Sequence, residues 1–487
     1  MIFASKAFFV FLPIVLILYH GFSRREHRYR VLLAAGWLFY AWVPPHYWPV
    51  LFLLTLIDYV AGREIQKATD ESLRKRWLTA SIVANLGLLF VFKYTPFVCE
   101  TALGCGELFG LSELGTMPAI VLPLGISFHT FQGISYTVDV YRKQIRAVDS
   151  FTDYALFVSF FPQLAAGPIV RAAEFLPQMV EPPSVSAKQI SDGIVLFVQG
   201  LVKKLIIADT LDELFVGPVF ANPAGFDDAI QRWAAVAWAV QIYCDFSGYT
   251  DMARGCSKWF GFELPENFRL PFLATSITDF WRRWHLSLST WLRDYLYFPM
   301  GGSRGSALRT YVNLMVLFLL CGLWHGAAWN WLAYGAYNGF WMCAHRWYDL
   351  RMKARPRLDA RRSSLPWIVV AWSLTTLQFL IGLILIRMAD WQGGTLMMKS
   401  LVGFGHIPAS GASLGVMPTT DWGFIPLVAL LMAMGLVGHI VGGLRERGIL
   451  PDRDWPDAVR LPVAALGLAS VIAFTGGTAK TFIYIHF

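Results

Sequence analysis

Two histidines stand where a buried imidazole could act as a general base. His325 lies inside the run GLWHGA, within residues 310–345, a stretch that contains no Asp, Glu, Lys or Arg. An ionisable residue inside so apolar a segment is a functional candidate by default. A neutral histidine hydrogen-bonded between helices is the other reading, and the residues alone leave both open. An unperturbed imidazole has a pKa of about 6.5, and burial favours its neutral, proton-accepting form. Such a base typically contributes ~10²–10⁴ in rate. It would suit a hydroxyl attacking an activated thioester.

His285 lies in the second chemistry-bearing stretch, Ile277–Tyr295. On a helical wheel Ile277, Phe280, Trp281, Trp284, Leu288, Trp291, Leu292 and Tyr295 fall within an arc of about 120°. Asp279, Arg282, Arg283, Arg293 and Asp294 fall outside it. The pattern predicts one amphipathic helix along a membrane interface or capping a cavity, with His285 at the edge of its apolar stripe. A third stretch, YCDFSGYTDMARG over 243–255, ends an apolar run with Asp245, Asp251 and Arg254. It lines a polar cavity or is a helix end in water; both readings stand at this point. Gly301, Ser303 and Gly305 spell G-x-S-x-G, but in a basic loop without the strand–turn–helix context of a hydrolase elbow. No Walker loop, zincin motif or dinucleotide fingerprint occurs, and no cysteine spacing suits a metal.

The elements that must position these residues are set by composition. Charged residues make up 15% of the 487 and hydrophobic residues 56%, against roughly 25% charged in soluble domains. The chain therefore reads as an all-α polytopic membrane protein, with about ten or eleven spans of about 20 residues plus re-entrant and interfacial helices. No sustained alternation suggests a β-barrel. The net charge of +8 reads as topology rather than a nucleic-acid footprint, because Lys and Arg collect in cytoplasmic loops. Arg24–Arg30, Arg63–Arg76, Arg142–Arg146 and Arg351–Arg362 mark that side. An uncleaved first span over Ala7–Tyr19 has its N-terminus outside. Residues 93–116 form an outer loop, in which Cys99 and Cys105 are either bonded or free. The other four cysteines read as core thiols. Residues 310–345, flanked by basic residues, must enter and return. That is too short for two full spans and predicts short, broken or re-entrant helices. The whole chain, 1–487, is expected to form a single transmembrane domain whose motif-bearing core covers about 118–345.

Several long runs in order resemble one family. LPLGISFHTFQGISYTVDVYR from Leu122, FFPQLAAGPIVR from Phe160, YCDFSGYTDMARG from Tyr243, WRRWHLSLSTWLRDYLYFPMGGSR from Trp281, GLWHGAAWNWLAYGAYNG from Gly322 and the C-terminal FIYIHF are similar to the membrane-bound O-acyltransferases, in particular their alginate O-acetyltransferase (AlgI-like) branch. The resemblance implies a helical bundle around a transmembrane tunnel, with His325 matching the catalytic histidine and His285 the second family histidine. It implies acetyl-CoA as a soluble donor entering from the cytoplasmic side, with no bound cofactor or metal. The acceptor would be an exported polysaccharide such as alginate, reached directly or through a periplasmic acetyltransferase partner and exopolysaccharide machinery. The setting would be a bacterial inner membrane. Arg282, Arg283 and Arg293 would attract the donor's phosphates or simply anchor the cytoplasmic face. Asp245, Trp324 and Asn338 would line the tunnel. Asn338 stands where the family often has His, and His129 where it often has an aromatic. D-alanyl transfer from a carrier protein, a transporter that makes no covalent bond, and a catalytically idle scaffold are the alternatives.

Overall fold

The computed structural model describes residues 3–42, 47–108, 120, 123, 125–164, 167–180, 184–404, 425–451 and 455–474. Pro44, Pro45 and the C-terminal FIYIHF run lie outside them. The described residues are helical, with no strand among them beyond a single bridge between Phe268 and Trp284. The chain packs as two compact units: Met1–Ile194 with Met252–Pro265, and Val195–Asp251 with Glu266–His486.

In the first unit, side-chain caps fix where helices begin. Ser5 accepts from the Phe8 N–H at 3.2 Å to open Lys6–Gly21, and Asp70 accepts from the Leu73 N–H at 2.9 Å to open Glu71–Leu89. Such caps satisfy amides that have no partner inside the helix. The Trp48–Lys67, Glu71–Leu89 and Ile126–Tyr141 helices pack together. Glu71–Leu89 runs through a π-helical turn, Phe90–Tyr94, into Thr95–Leu108. The segment expected to be an outer loop from residue 93 is therefore helical to Leu108. Its Lys and Glu residues are spaced along a helix and do not interrupt it. Cys99 and Cys105 sit on that helix as free thiols.

In the second unit the Asp228–Lys258 helix carries Trp238, whose indole N–H donates to the Leu383 carbonyl at 3.0 Å. Arg387 stacks over Trp238 at 4.3 Å and donates to Asp212 at 2.5 Å. These contacts hold Leu365–Arg387 against Asp228–Lys258. Residues 310–345 belong to two long helices, Ala307–His325 and Trp329–Lys353. The short, broken helices expected there are not formed. Arg346, Asp349, Arg351 and Lys353 ride on the last turns of the second helix instead of forming a loop, so the hairpin is longer than its charge-free stretch.

Among the described residues, five helices are long and apolar enough to cross a membrane: Glu71–Cys105, Ala307–His325, Leu365–Arg387, Ile425–Glu446 and Asp457–Phe474. Arg25–Ala41, Trp48–Lys67, Asp228–Lys258 and Trp329–Lys353 are of comparable length but contain no stretch as apolar as those in the five. The apolar helices turn bulky side chains outward: Ile472 is 72% exposed, Leu466 70% and Leu374 63%. A surface so apolar requires lipid rather than water around it. The fold is that of an all-α polytopic membrane protein.

Candidate active site

The helical hairpin carries His325 at its turn. His325 is the last residue of Ala307–His325, and Gly326–Ala328 lead into Trp329–Lys353. The two helices cross closely because both crossing residues are glycines. A Cβ on Gly322 would lie 2.3 Å from the Trp331 carbonyl oxygen, and one on Gly335 would lie 2.5 Å from the Phe318 carbonyl oxygen. At the turn, a Cβ on Gly326 would overlap the Trp331 ring at 2.1 Å. With no side chain there, Trp331 stacks on the His325 imidazole at 5.4 Å between centroids and 19° between planes. His325 is 6% exposed, so its ring is held by packing on a rigid element.

His285 comes to the same place by a different device. The helix expected over Ile277–Tyr295 is not continuous. It consists of Ile277–Trp281, then Leu286–Leu292, then a π-helical turn over Arg293–Tyr297. The break is at His285 itself, whose φ of 46° lies in the left-handed region. For a residue other than glycine that conformation costs of order 1–3 kcal/mol. Residues 267–269 offset it by pairing with 283–286. The Arg269 N–H donates to the Arg283 carbonyl at 2.9 Å, and the Leu286 N–H donates to the Asn267 carbonyl at 3.0 Å. The Asn267 side chain completes the clamp. Its Oδ1 accepts from the Ser287 hydroxyl at 2.6 Å and the Ser287 N–H at 3.3 Å, while its Nδ2 donates to the Thr250 hydroxyl at 3.3 Å. A helical-wheel argument cannot see a break imposed by a segment sixteen to eighteen residues away.

The break turns the His285 ring into the core, where it is 1% exposed. It meets Phe246 edge-on at 4.7 Å, Trp324 at 6.2 Å and His325 at 6.3 Å. Two imidazoles from distant parts of the sequence thus face one another, with Trp324 packed against both. Burial pushes the His285 pKa down from the ordinary 6.5 to about 3. The ring is neutral at physiological pH, with one N–H donor and one acceptor nitrogen.

Asn267 was not among the residues singled out from the sequence, since an asparagine in a PENF run carries no signal of its own. Asn267→Ala is expected to cost ~1–3 kcal/mol of stability. It should also lower turnover without changing the donor KM, because it releases the backbone that aims His285. Asn267→Asp keeps the acceptor for Ser287 and should recover most of the turnover. Thermal unfolding and steady-state kinetics on the same preparations read both effects.

The three arginines do not act together. Arg283 donates to Asp279 at 3.0 Å and to Glu446 at 3.3 Å, and Arg293 is engaged by the adjacent Asp294 at 2.6 Å. Arg282 instead lines a cavity of about 440 Å³ with Ser276, Thr278, Asp279, Tyr297, Leu314, Met342, His345, Arg346, Asp349, Lys353 and Arg362. That volume lies within the range of small-molecule sites, roughly 300–1,000 Å³. Four cations face two carboxylates in it, leaving a net positive site. Lys353 and Arg362 pair with Asp349 at 2.8 Å each, and the Thr278 hydroxyl bonds His345 Nδ1 at 2.9 Å. Among the described residues, Arg282 and Arg346 form no ion pair. Leu314 lines this cavity eleven residues before His325 on one helix, about 16 Å away at 1.5 Å per residue. Arg346 and Arg362 read in the sequence only as flanking basic residues, because their convergence depends on how the hairpin folds back.

Of the residues expected in a tunnel, Trp324 is at the histidine pair. Asp245 is buried and ion-paired with Lys204, which also binds Asp209 at 2.9 Å. Asn338 is buried, its Nδ2 donating to the Tyr334 carbonyl at 2.9 Å within the helix. Neither lines the 440 Å³ cavity.

The sequence profile of the membrane-bound O-acyltransferase family matches residues 129–386, which include both histidines and every residue lining the cavity. The chain belongs to this family and is an O-acyltransferase. It is 39% identical over 443 residues to the Pseudomonas aeruginosa protein named probable alginate O-acetylase AlgI, covering 89% of this chain and 81% of that one. It is 38% identical over 465 residues to the Azotobacter vinelandii protein of the same name, covering 94% and 88%. It is 34% identical over 412 residues to the peptidoglycan O-acetyltransferase of Helicobacter pylori, covering 77% and 74%.

Proposed function

We propose that this chain moves an acetyl group from acetyl-CoA on the cytoplasmic side of a bacterial inner membrane toward hydroxyls of an exported polysaccharide such as alginate, directly or through a periplasmic partner. The observation that carries the reading is the buried, facing pair His285 and His325. The names of the similar proteins support the acetyl group and the carbohydrate hydroxyl.

The chemistry follows from the pair. His325 accepts the proton of the acceptor hydroxyl as its oxygen attacks the thioester carbonyl carbon. The neutral His285 ring donates its N–H to the carbonyl oxygen, on which negative charge develops; aimed donors of this kind are typically the largest electrostatic contribution in acyl transfer. Collapse of the tetrahedral species breaks the C–S bond, and the His325 imidazolium returns its proton to the leaving sulfur. Thioester and alcohol become ester and thiol with no net proton. A donor arm must then reach the pair from its phosphate anchor. The 440 Å³ cavity fits that role through Arg282 and Arg346, which pair with no carboxylate among the described residues.

Arg282→Gln with Arg346→Gln is expected to raise the donor KM by roughly 10–100-fold per charged contact, taking ~1.5–3 kcal/mol for each. The kcat should change little. Acetyl-pantetheine, which lacks phosphates, should show no such penalty. A double variant with an unchanged donor KM contradicts this anchoring.

A further inference from the structure

A second set of buried polar groups, in the first unit, takes no part in the chemistry above. Asp58 on Trp48–Lys67, Ser81 and Asn85 on Glu71–Leu89, and Thr137 on Ile126–Tyr141 are all fully buried. Ser81 donates to Asp58 Oδ1 at 2.6 Å, and Asn85 Nδ2 donates to the same oxygen at 2.8 Å. Thr137 bonds Ser81 at 3.1 Å and its own helix carbonyls, not Asp58. Two acceptor oxygens remain, Asp58 Oδ2 and Asn85 Oδ1, and neither has a hydrogen-bond partner. Both face Gly133, where a Cβ would lie 2.0 Å from Asp58 Oδ2 and 3.3 Å from Asn85 Oδ1. The glycine leaves room for these oxygens but for no additional side chain.

No cation answers this carboxyl among the described residues. The titratable groups that reach it electrostatically from neighbouring helices are Tyr136 and Tyr154, both acids. The Tyr136 hydroxyl is occupied by the Val148 N–H at 3.0 Å. A bare carboxylate sealed in an apolar bundle is among the costliest arrangements in a protein. Two acceptors turned to one spot, with nothing between them, cannot hydrogen-bond each other. A hydrogen on Asp58 Oδ2 resolves both conditions at once. The Asn85 amide then donates to Oδ1, and Oδ2–H has Asn85 Oδ1 as the acceptor on the same side of Gly133.

We propose that Asp58 is a proton-binding site in the membrane interior, loaded at neutral pH, whose proton joins the Trp48–Lys67 helix to Glu71–Leu89 through Asn85. Losing the proton sets two acceptors against each other and loosens that joint. The proposal does not depend on the acyl-transfer reading.

The test is an infrared difference spectrum, wild type minus Asp58→Asn, of the full-length protein in lipid nanodiscs at neutral pH. The expected result is the C=O stretch of a protonated carboxylic acid, shifted down in D₂O and unmoved when sodium is replaced by choline. Asp58→Asn, whose amide repeats the same donor and acceptor pattern, should keep the wild-type melting temperature. Asn85→Ala, which removes both partners, should lower the melting temperature and shift the band. A carboxylate stretch in place of the acid band overturns the proposal. So does an acid band that appears only when sodium is withdrawn, since that marks a metal-cation site. Should Asp58→Asn fail to fold, the acid band is sought in wild type labelled with carbon-13 aspartate, and its absence there overturns the proposal equally.

Discussion

His325→Ala is expected to lower the rate of acyl transfer by ~10²–10⁴ while leaving the donor KM near its wild-type value. The basis is the division of labour in the second unit. In the proposed reading His325 ends a rigid helix beside the reacting position, whereas the donor's phosphates would sit in the cavity lined by Leu314, eleven residues earlier on that helix and about 16 Å away at 1.5 Å per residue. Removing the base should therefore affect the chemical step and not donor binding. The variant removes a ring that stacks on Trp331, so some loss of stability accompanies it, and equal amounts of monodisperse protein must be compared. Steady-state kinetics with purified protein, donor and a hydroxyl acceptor read the outcome. A drop that appears only in KM would place His325 in binding instead.

The second large effect is expected at His285. Deleting one aimed donor to a developing oxyanion typically costs ~10²–10³ in kcat. Asparagine is the substitution of choice, because it enters the left-handed backbone region more readily than most residues and so spares the Asn267–Ser287 clamp. Its shorter side chain does not reach where the imidazole reached. With His285 and His325 serving one transition state, as proposed, the double variant should be little worse than the more damaging single one. Full additivity would show that the two rings act in separate steps. The proton balance of His285 gives a further sign. Burial depresses its pKa in the folded protein from 6.5 to about 3, so between those values the unfolded chain binds the proton and the folded one does not. Stability is then lost as pH falls through that window, and His285→Asn should remove this part of the acid sensitivity.

The sequence made some of this legible and hid the rest for identifiable reasons. The membrane class followed from the deficit of charge, and the exposed apolar faces of Leu365–Arg387 and Asp457–Phe474 are its structural counterpart. His325 stands out as a candidate because an imidazole in a charge-free run with glycines on both sides is unusual by itself. The sequence locates His285 but hides its setting. Apolar periodicity across 277–295 suggested one continuous helix, and periodicity does not register an inserted left-handed residue. That break is dictated by Asn267 and the Phe268–Trp284 bridge, contacts between segments that look unrelated in sequence. The arginines illustrate a related limit. Arg282, Arg283 and Arg293 are equivalent on a wheel, yet Asp279, Glu446 and Asp294 engage two of them and leave Arg282 for the cavity. Arg346 and Lys353 join it because charged residues ride on the end of Trp329–Lys353, and Arg362 joins it from the short turn Ala360–Ser363. In the first unit, Asp58, Asn85 and Gly133 come from three helices, and no local pattern announces their meeting.

The most direct measurement of the central claim is a transfer assay with purified wild-type protein, acetyl-labelled acetyl-CoA and a polysaccharide bearing free hydroxyls. Release of free CoA thiol together with base-labile label in the polymer, or on an added periplasmic partner, is expected, with loss of both in His325→Ala. Intact acetyl-CoA in the presence of folded protein, acceptor and partner, with polymer crossing reconstituted vesicles unmodified, would contradict it.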